Sequence, residues 1–375
     1  MIPRLYESTE TAFTTFGICP LGEATSCIVT EERNGQYVLN MDYPTDGMFF
    51  DEIKVDRIIL AMAHENDVQA QPFRIESISG DMGGIVTIEA VHVSYQLNWS
   101  LAARQTIASG TAQANMRAVG LIDEMNNKFT FYSDIATTKA ITVNEPVPFR
   151  SLLGGIEGSF LDTYGGEFEW DRYDVHLWSA RGQDNVVRIT YGKNLTGLDW
   201  ETDVSDSWTA VHAYWMQEQD GVTTYVYSDI QEVASDFAFR RLIAIDASGD
   251  FQSQPTVAQM NSYAQQYVNA NAADPVVSVT VDFVPLWQTE EYKEFAEFEK
   301  VNLCDTVTIV YPPLNLELKA KVVKTVYNTL LDRYDSIEIK TAKQSLANTI
   351  WALDEQTKPL RIKASNRNRL RRIQP

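Results

Sequence analysis

The chain has 375 residues, 44% hydrophobic and 11% aromatic, and a formal net charge of −20. That length exceeds one ordinary core and implies roughly two to four domains, and the apolar share excludes a disordered chain. Such acidity disfavours binding to nucleic-acid phosphates or anionic lipid outside a local patch of opposite sign; it also serves simply to keep a large assembly soluble. A patch of that kind closes the sequence. No acidic residue follows Glu355, whereas Lys358, Arg361, Lys363, Arg367, Arg369, Arg371 and Arg372 do. This basic arm reads either as a contact for a neighbouring subunit or nucleic acid, or as a solvated tail.

Cys19, Cys27 and Cys304 include no CxxC pair and do not make a disulfide framework in a chain of this size. The start, Met1-Ile2-Pro3-Arg4, runs into polar residues and is not read as a signal peptide, and no run approaches a membrane span. Synthesis in the cytoplasm is the expectation.

In chain order, residues 1–100 predict a β domain. Ser26 to Thr30 and Gln36 to Met41 flank Asn34-Gly35, the strongest short hairpin signal. Ile58 to Met62, Phe73 to Ile78 and Ile85 to Val93 predict further strands, evenly spaced as in a small barrel or sandwich. Residues 101–205 predict a mixed α+β domain. Met116, Val119, Leu121, Ile122 and Met125 suit a helix from Ala112 to Met125, and Phe129 to Tyr132 a strand. A second helix carries Phe149, Leu152, Leu153, Ile156, Phe160 and Leu161 on one face, ends at Gly165-Gly166, and is weakened by Gly154-Gly155 where something packs close. It leads into a meander over 167–201, with a turn at Asp171-Arg172 and another around Gly182 and Asp184-Asn185. Tyr191 to Leu195 reads as the passage out of it. Residues 206–345 predict a second β unit, with strands at Ala210 to Met216, Thr223 to Tyr227, Arg240 to Ile245, Val276 to Val284, Thr306 to Val310, Leu316 to Thr325 and Ile337 to Ile339. An inserted helix after Pro255-Thr256 carries Val257, Met260, Tyr263, Ala264, Tyr267 and Val268 on one side. Residues 346–375 form a basic C-terminal appendage. The fold class is therefore α+β, mainly β, and multidomain.

Chemistry-bearing patterns are sparse. HExxH and GxSxG are absent, as are glycine-rich phosphate loops. His64, His92, His176 and His212 are scattered. His176 alternates out of phase with Val175 and Leu177 and belongs on the less buried face; His92, between Val91 and Val93, reads as a satisfied structural histidine. Glu167 and Glu169 share a strand face, an ordinary place for two exposed acids, and glycosidase-type carboxylate pairs stay open among so many candidates. No residue is assigned a catalytic, cofactor-binding or metal-binding role, and no cofactor is expected. Trp170, Trp178 and Trp200 could instead form a sugar platform. The aromatics suit subunit interfaces or several small cores equally well.

Val29-Thr30-Glu31-Glu32-Arg33-Asn34-Gly35-Gln36-Tyr37 with Tyr43-Pro44, and Gln71-Pro72-Phe73-Arg74-Ile75, resemble the start of the phage tail-tip hub family, called tail-associated lysin or prophage endopeptidase tail protein. Leu152-Leu153-Gly154, Gly165-Gly166-Glu167 and Tyr191-Gly192-Lys193-Asn194-Leu195 look like its central motifs; Val301-Asn302-Leu303-Cys304-Asp305-Thr306-Val307 and Arg333-Tyr334-Asp335-Ser336-Ile337-Glu338 are similar to its closing β unit. The motifs stand in the expected order from residue 16 to about 340. Cys304 departs from the pattern, because the family has glycine there, so the turn is expected to pack differently, with Cys304 as a small hydrophobe rather than a nucleophile.

The resemblance implies a fold similar to the central baseplate hub of contractile-tailed phages, with two barrel-like tube domains and inserted mixed domains. It implies a homotrimeric ring at the virion tail tip, with the distal tail ring protein, the tape measure protein and a receptor-binding or fibre protein as partners. DNA is a partner only in transit, along a channel whose acidity would let it slide. In the family, lytic activity sits in domains after the hub region, so the expectation is a hub without its own lysin. The rivals are a cell-wall-degrading lysin, peptidase or glycosidase, and a carbohydrate-binding adhesin.

Overall fold

The computed structural model describes residues 2–65, 69–122, 128–184, 186–190, 195–203, 207–219, 221–233, 237–251, 253–270, 276–283, 301–312 and 316–341. They form several sheets and a few helices, the mainly β class that the sequence predicts. The basic appendage, Met125 and the Tyr191–Asn194 passage lie outside the described residues. The chain forms two compact units. The first comprises the described residues among 1–197, 281–308 and 320–339, and the second those among 198–280, 309–319 and from 340 onward.

In the first unit the Asn34 turn joins strands Ser26–Glu32 and Tyr37–Pro44, with Val29 opposite Leu39. Asn34 takes the left-handed conformation that this turn requires (φ 56°) and that asparagine tolerates. Alternation turns Cys27, Val29 and Glu31 inward from one strand, and Tyr37, Leu39, Met41 and Tyr43 from the other. Tyr37–Pro44 pairs with Ile85–His92, which pairs with Gln71–Gly80; Ile58–Ala61, Arg4–Tyr6 and Cys19–Pro20 follow in strand order. On the other side of Ser26–Glu32 lies Leu316–Asn328, antiparallel, with Tyr327 opposite Val29. β segments from early and late in the sequence thus share one ladder. Tyr37, Tyr43, Tyr327, Phe73, Leu39 and Met41 are fully buried there, each contributing about 1.5–3 kcal/mol.

The middle of the chain adds a three-stranded sheet. Asp174–Trp178 runs antiparallel to Glu167–Asp171 across the expected Asp171-Arg172 turn and parallel to Thr130–Ser133. The Asn34 side chain ties the hairpin turn to it, donating from Nδ2 to Gly166 O at 3.0 Å and accepting from Phe168 N–H at 2.7 Å.

Two helices differ from expectation. The first spans only Ala112–Ala118, capped by Thr111 Oγ1, which accepts from Ala114 N–H. It stops because the backbone beyond pairs with residues 101–103: Ala103 N–H donates to Gly120 O and Ile122 N–H to Leu101 O. The single helix expected from Phe149 is two, Phe149–Leu153 and Phe160–Tyr164. A Cβ on Gly154 would stand 2.4 Å from Leu161 Cδ1, so the close packing expected at that glycine is Leu161 itself. Ser159 caps the second helix, Gly165 (φ 71°) ends it, and Ile156 between the two is exposed.

In the second unit, Ala210–Gln219 pairs with Val222–Tyr227 and Gln231–Glu232, and in parallel with Leu242–Asp246. Helix Val257–Ala270 packs here through Met260 and Ala264, in a core with Trp208, Val211, Ala213, Trp215 and Ala247. Val257 does not join them; it is exposed in the first turn.

Substituting Asn34 separates its two roles. Asn34→Ala loses both hydrogen bonds and places alanine in the left-handed region, whereas Asn34→Gly loses only the bonds. Urea denaturation should find the alanine variant less stable than the glycine one by about 1 kcal/mol.

Candidate functional site

The alternation that builds the core hairpin also drives a carboxylate into it. Glu31 follows Cys27 and Val29 on the inward face and is 2% exposed. A charge so placed needs partners of its own. Arg181 Nη1 donates to Glu31 Oε1 at 2.8 Å, and His64 Nε2 pairs with Glu31 Oε2. Arg181 Nη1 also donates to Phe168 O at 3.1 Å, and its backbone N–H to Glu167 Oε2 at 2.7 Å. Glu167, buried in turn, accepts at Oε1 from Lys321 Nζ at 2.6 Å, with Arg33 Nε 3.6 Å away. Burial alone would raise the Glu31 carboxyl, but the Arg181 and His64 charges outweigh it and hold it down at about 2. Burial likewise opposes the Arg181 charge, and Glu31 reverses that, lifting the guanidinium above its ordinary value.

Beside this brace two turns press together. Gly182 has φ 85°, and a Cβ there would lie 2.5 Å from the carbonyl carbon of Cys304 and 2.6 Å from Asp305 N. Asp305 accepts from Gln183 N–H and Asn302 N–H, each at 2.7 Å, although burial still pushes its carboxyl up. Cys304 takes the left-handed conformation that favours glycine, at φ 70°, with its side chain buried. The turn therefore follows a glycine-like path with a thiol packed inside.

Glu167 is an ion-paired interior group rather than an exposed acid, and Glu169 accepts from Trp178 Nε1 at 2.6 Å. His176 lies on the less buried face as expected, stacked on Tyr132 and Trp178 at centroid distances of 4.9 and 5.2 Å. His92 is wholly buried with Nδ1 3.0 Å from Ser94 Oγ; burial, helped by Arg150, pushes it down to about 3, so it is neutral. Burial pushes Cys27 and Cys304 up to about 12 and raises Cys19, which keeps all three as thiols. Of the rival sugar platform, Trp170 and Trp178 do not share a sheet face. Trp170 is buried against Phe168, facing away from Trp178 across the alternation, and the Trp200 side chain lies outside the described residues. Among the described residues no group of three or more His, Cys, Asp or Glu could hold a metal.

Sequence reasoning missed Arg181 and Lys321 altogether, and met Glu31 only inside a motif. The signal for Glu31 was present: an acid standing in the apolar phase of Cys27 and Val29.

The fold places the chain in a class. It is similar to prophage tail protein gp18 from Listeria monocytogenes, with a TM-score of 0.59 at 13% identity over 95% of this chain and 99% of that one. It is equally similar to the 43 kDa tail protein of prophage MuSo2 from Shewanella oneidensis, with a TM-score of 0.59 at 9% identity over 93% and 99%. The tail protein from Neisseria meningitidis gives a TM-score of 0.55 at 9% identity over 92% and 96%. No curated protein matches in sequence. This is the fold of prophage tail proteins. Residues 183–350 match the family described as prophage endopeptidase tail, a name carried by the family that the sequence motifs resemble.

Two variants test the brace. Glu31→Gln should cost about 3 kcal/mol at pH 7, since it leaves Arg181 buried without its carboxylate. The folded carboxyl sits below its ordinary value, so its contribution is present above pH ~4.5 and fades as the pH falls toward 2. The parent and variant stabilities, followed by urea denaturation, should therefore converge across that window; a constant gap would contradict the assignment. Cys304→Val, a β-branched residue in the left-handed region, should lose about 2 kcal/mol in the same assay.

Proposed function

We propose that the chain is a structural hub at the tip of a phage or prophage tail, where three copies form a ring that closes the tail tube. The observation that carries this is the likeness of fold to prophage tail proteins over nearly the whole of both chains. On this reading the ring seats on the distal tail ring protein, meets the end of the tape measure protein, and carries a receptor-binding or fibre protein below. DNA is in contact only while passing, and the net charge of −20 supports an acidic channel along which phosphates slide without sticking.

The hub works by shape and has no catalytic site of its own. The family description contains the word endopeptidase, but the candidate groups of this chain support a packed role. Its cysteines are buried thiols, His92 is neutral in the core, and Glu167 is held by Lys321.

Light scattering should give the purified chain a native mass three times its 42.4 kDa. A strict monomer at high concentration would overturn the ring. Zymography on purified cell wall should show no clearing, and clear lysis would establish the lysin reading instead.

A further inference from the structure

Arg150 has no part in the ionic brace. It extends from the short helix Phe149–Leu153, half-buried, its guanidinium carbon 4.0 Å from the Tyr95 ring centre and 4.4 Å from that of Trp170. Nη1 donates to Ser94 Oγ at 2.8 Å; Nη2 reaches Gly35 O only at 3.5 Å, the outer limit of a hydrogen bond. Arg57, Arg74 and Arg181 each meet a carboxylate, yet among the described residues none pairs with Arg150. Burial lowers its pKa, but an arginine keeps its proton at neutral pH. Rings and neutral oxygens are what this cation has. They favour it weakly beside a carboxylate fork, which would satisfy two N–H groups at once.

Space for such a fork exists. A cavity of about 200 Å³ opens beside the guanidinium, with Tyr95, Phe168 and Trp170 on its aromatic side and Leu153 and Leu161 on its aliphatic side. Asn34 also lines it, but its amide is engaged with Gly166 and Phe168. Arg150 is the charged group in the lining. Aromatic and aliphatic side chains thus stand around one charged group, in a space that holds only a small molecule.

We propose that this cavity is a carboxylate-binding subsite, in which Arg150 takes the acid head and the leucine and aromatic walls take a short apolar stem. The ligand is a small organic acid, either free or presented as the side chain of a glutamate. This inference stands on the cavity alone and does not depend on the hub reading.

Two probes distinguish the sources: propionate for a free acid, and N-acetylglutamate N-methylamide for a side chain. Saturation-transfer NMR on the full chain should show saturable binding of at least one probe at millimolar concentration, and the tighter probe identifies the source. Arg150→Lys should weaken that binding at least about tenfold, because an ammonium cannot reproduce the fork. Leu161→Trp, which fills the space and leaves the guanidinium in place, should weaken it similarly. If the lysine variant fails to fold, as judged by its melting curve, the tryptophan variant decides. Absence of saturable binding at about 50 mM, or binding unchanged by Leu161→Trp, overturns the subsite.

Discussion

A carboxylate in the core of a β-sheet is tolerable only where the rest of the fold is built to meet it. Glu31 is that group here. Moving such a charge from water costs several kcal/mol, which attraction offsets only at close range and with well-placed donors. Its partners come from far along the chain: Arg181 follows strand Asp174–Trp178, and His64 follows strand Ile58–Ala61. Glu167 extends the same network to Lys321 on the strand that completes the ladder beside Ser26–Glu32. If any of these segments were misplaced, a buried charge would be left alone. The network therefore gives the first unit a penalty against partial assembly, beyond what apolar burial supplies.

Groups that could react are instead engaged in support: His92 is neutral against Ser94, the thiols are protonated, and Asp305 accepts backbone N–H groups from two turns. The tight approach of Gly182 to Cys304 and Asp305 fixes the same corner through backbone shape. Sequences only 9–13% identical give this fold over nearly their full lengths.

Local chemistry was legible in the sequence, and non-local pairing was not. The Asn34 hairpin, the Asp171-Arg172 turn and the Gly165 stop follow from backbone preferences and appear where expected. The helix before Gly154 was overextended, because what divides it is Leu161 folding back, a tertiary contact invisible to periodicity. Val257 fits the helical spacing but sits in the first turn, outside the packed stretch. The ladder between Leu316–Asn328 and Ser26–Glu32 leaves no local mark, since a strand edge carries no label for its partner. Glu31 was half legible. Its phase announced burial, but nothing in its neighbourhood announced Arg181.

Three segments distant in sequence should open and close as one body around Glu31. Native-state hydrogen exchange followed by mass spectrometry tests it directly. Amides of Ser26–Glu32, Glu167–Asp171 and Leu316–Asn328 should exchange with a common opening free energy, and Glu31→Gln should lower all three together. Exchange of Leu316–Asn328 at a much lower free energy than Ser26–Glu32 would mean that the segments open separately.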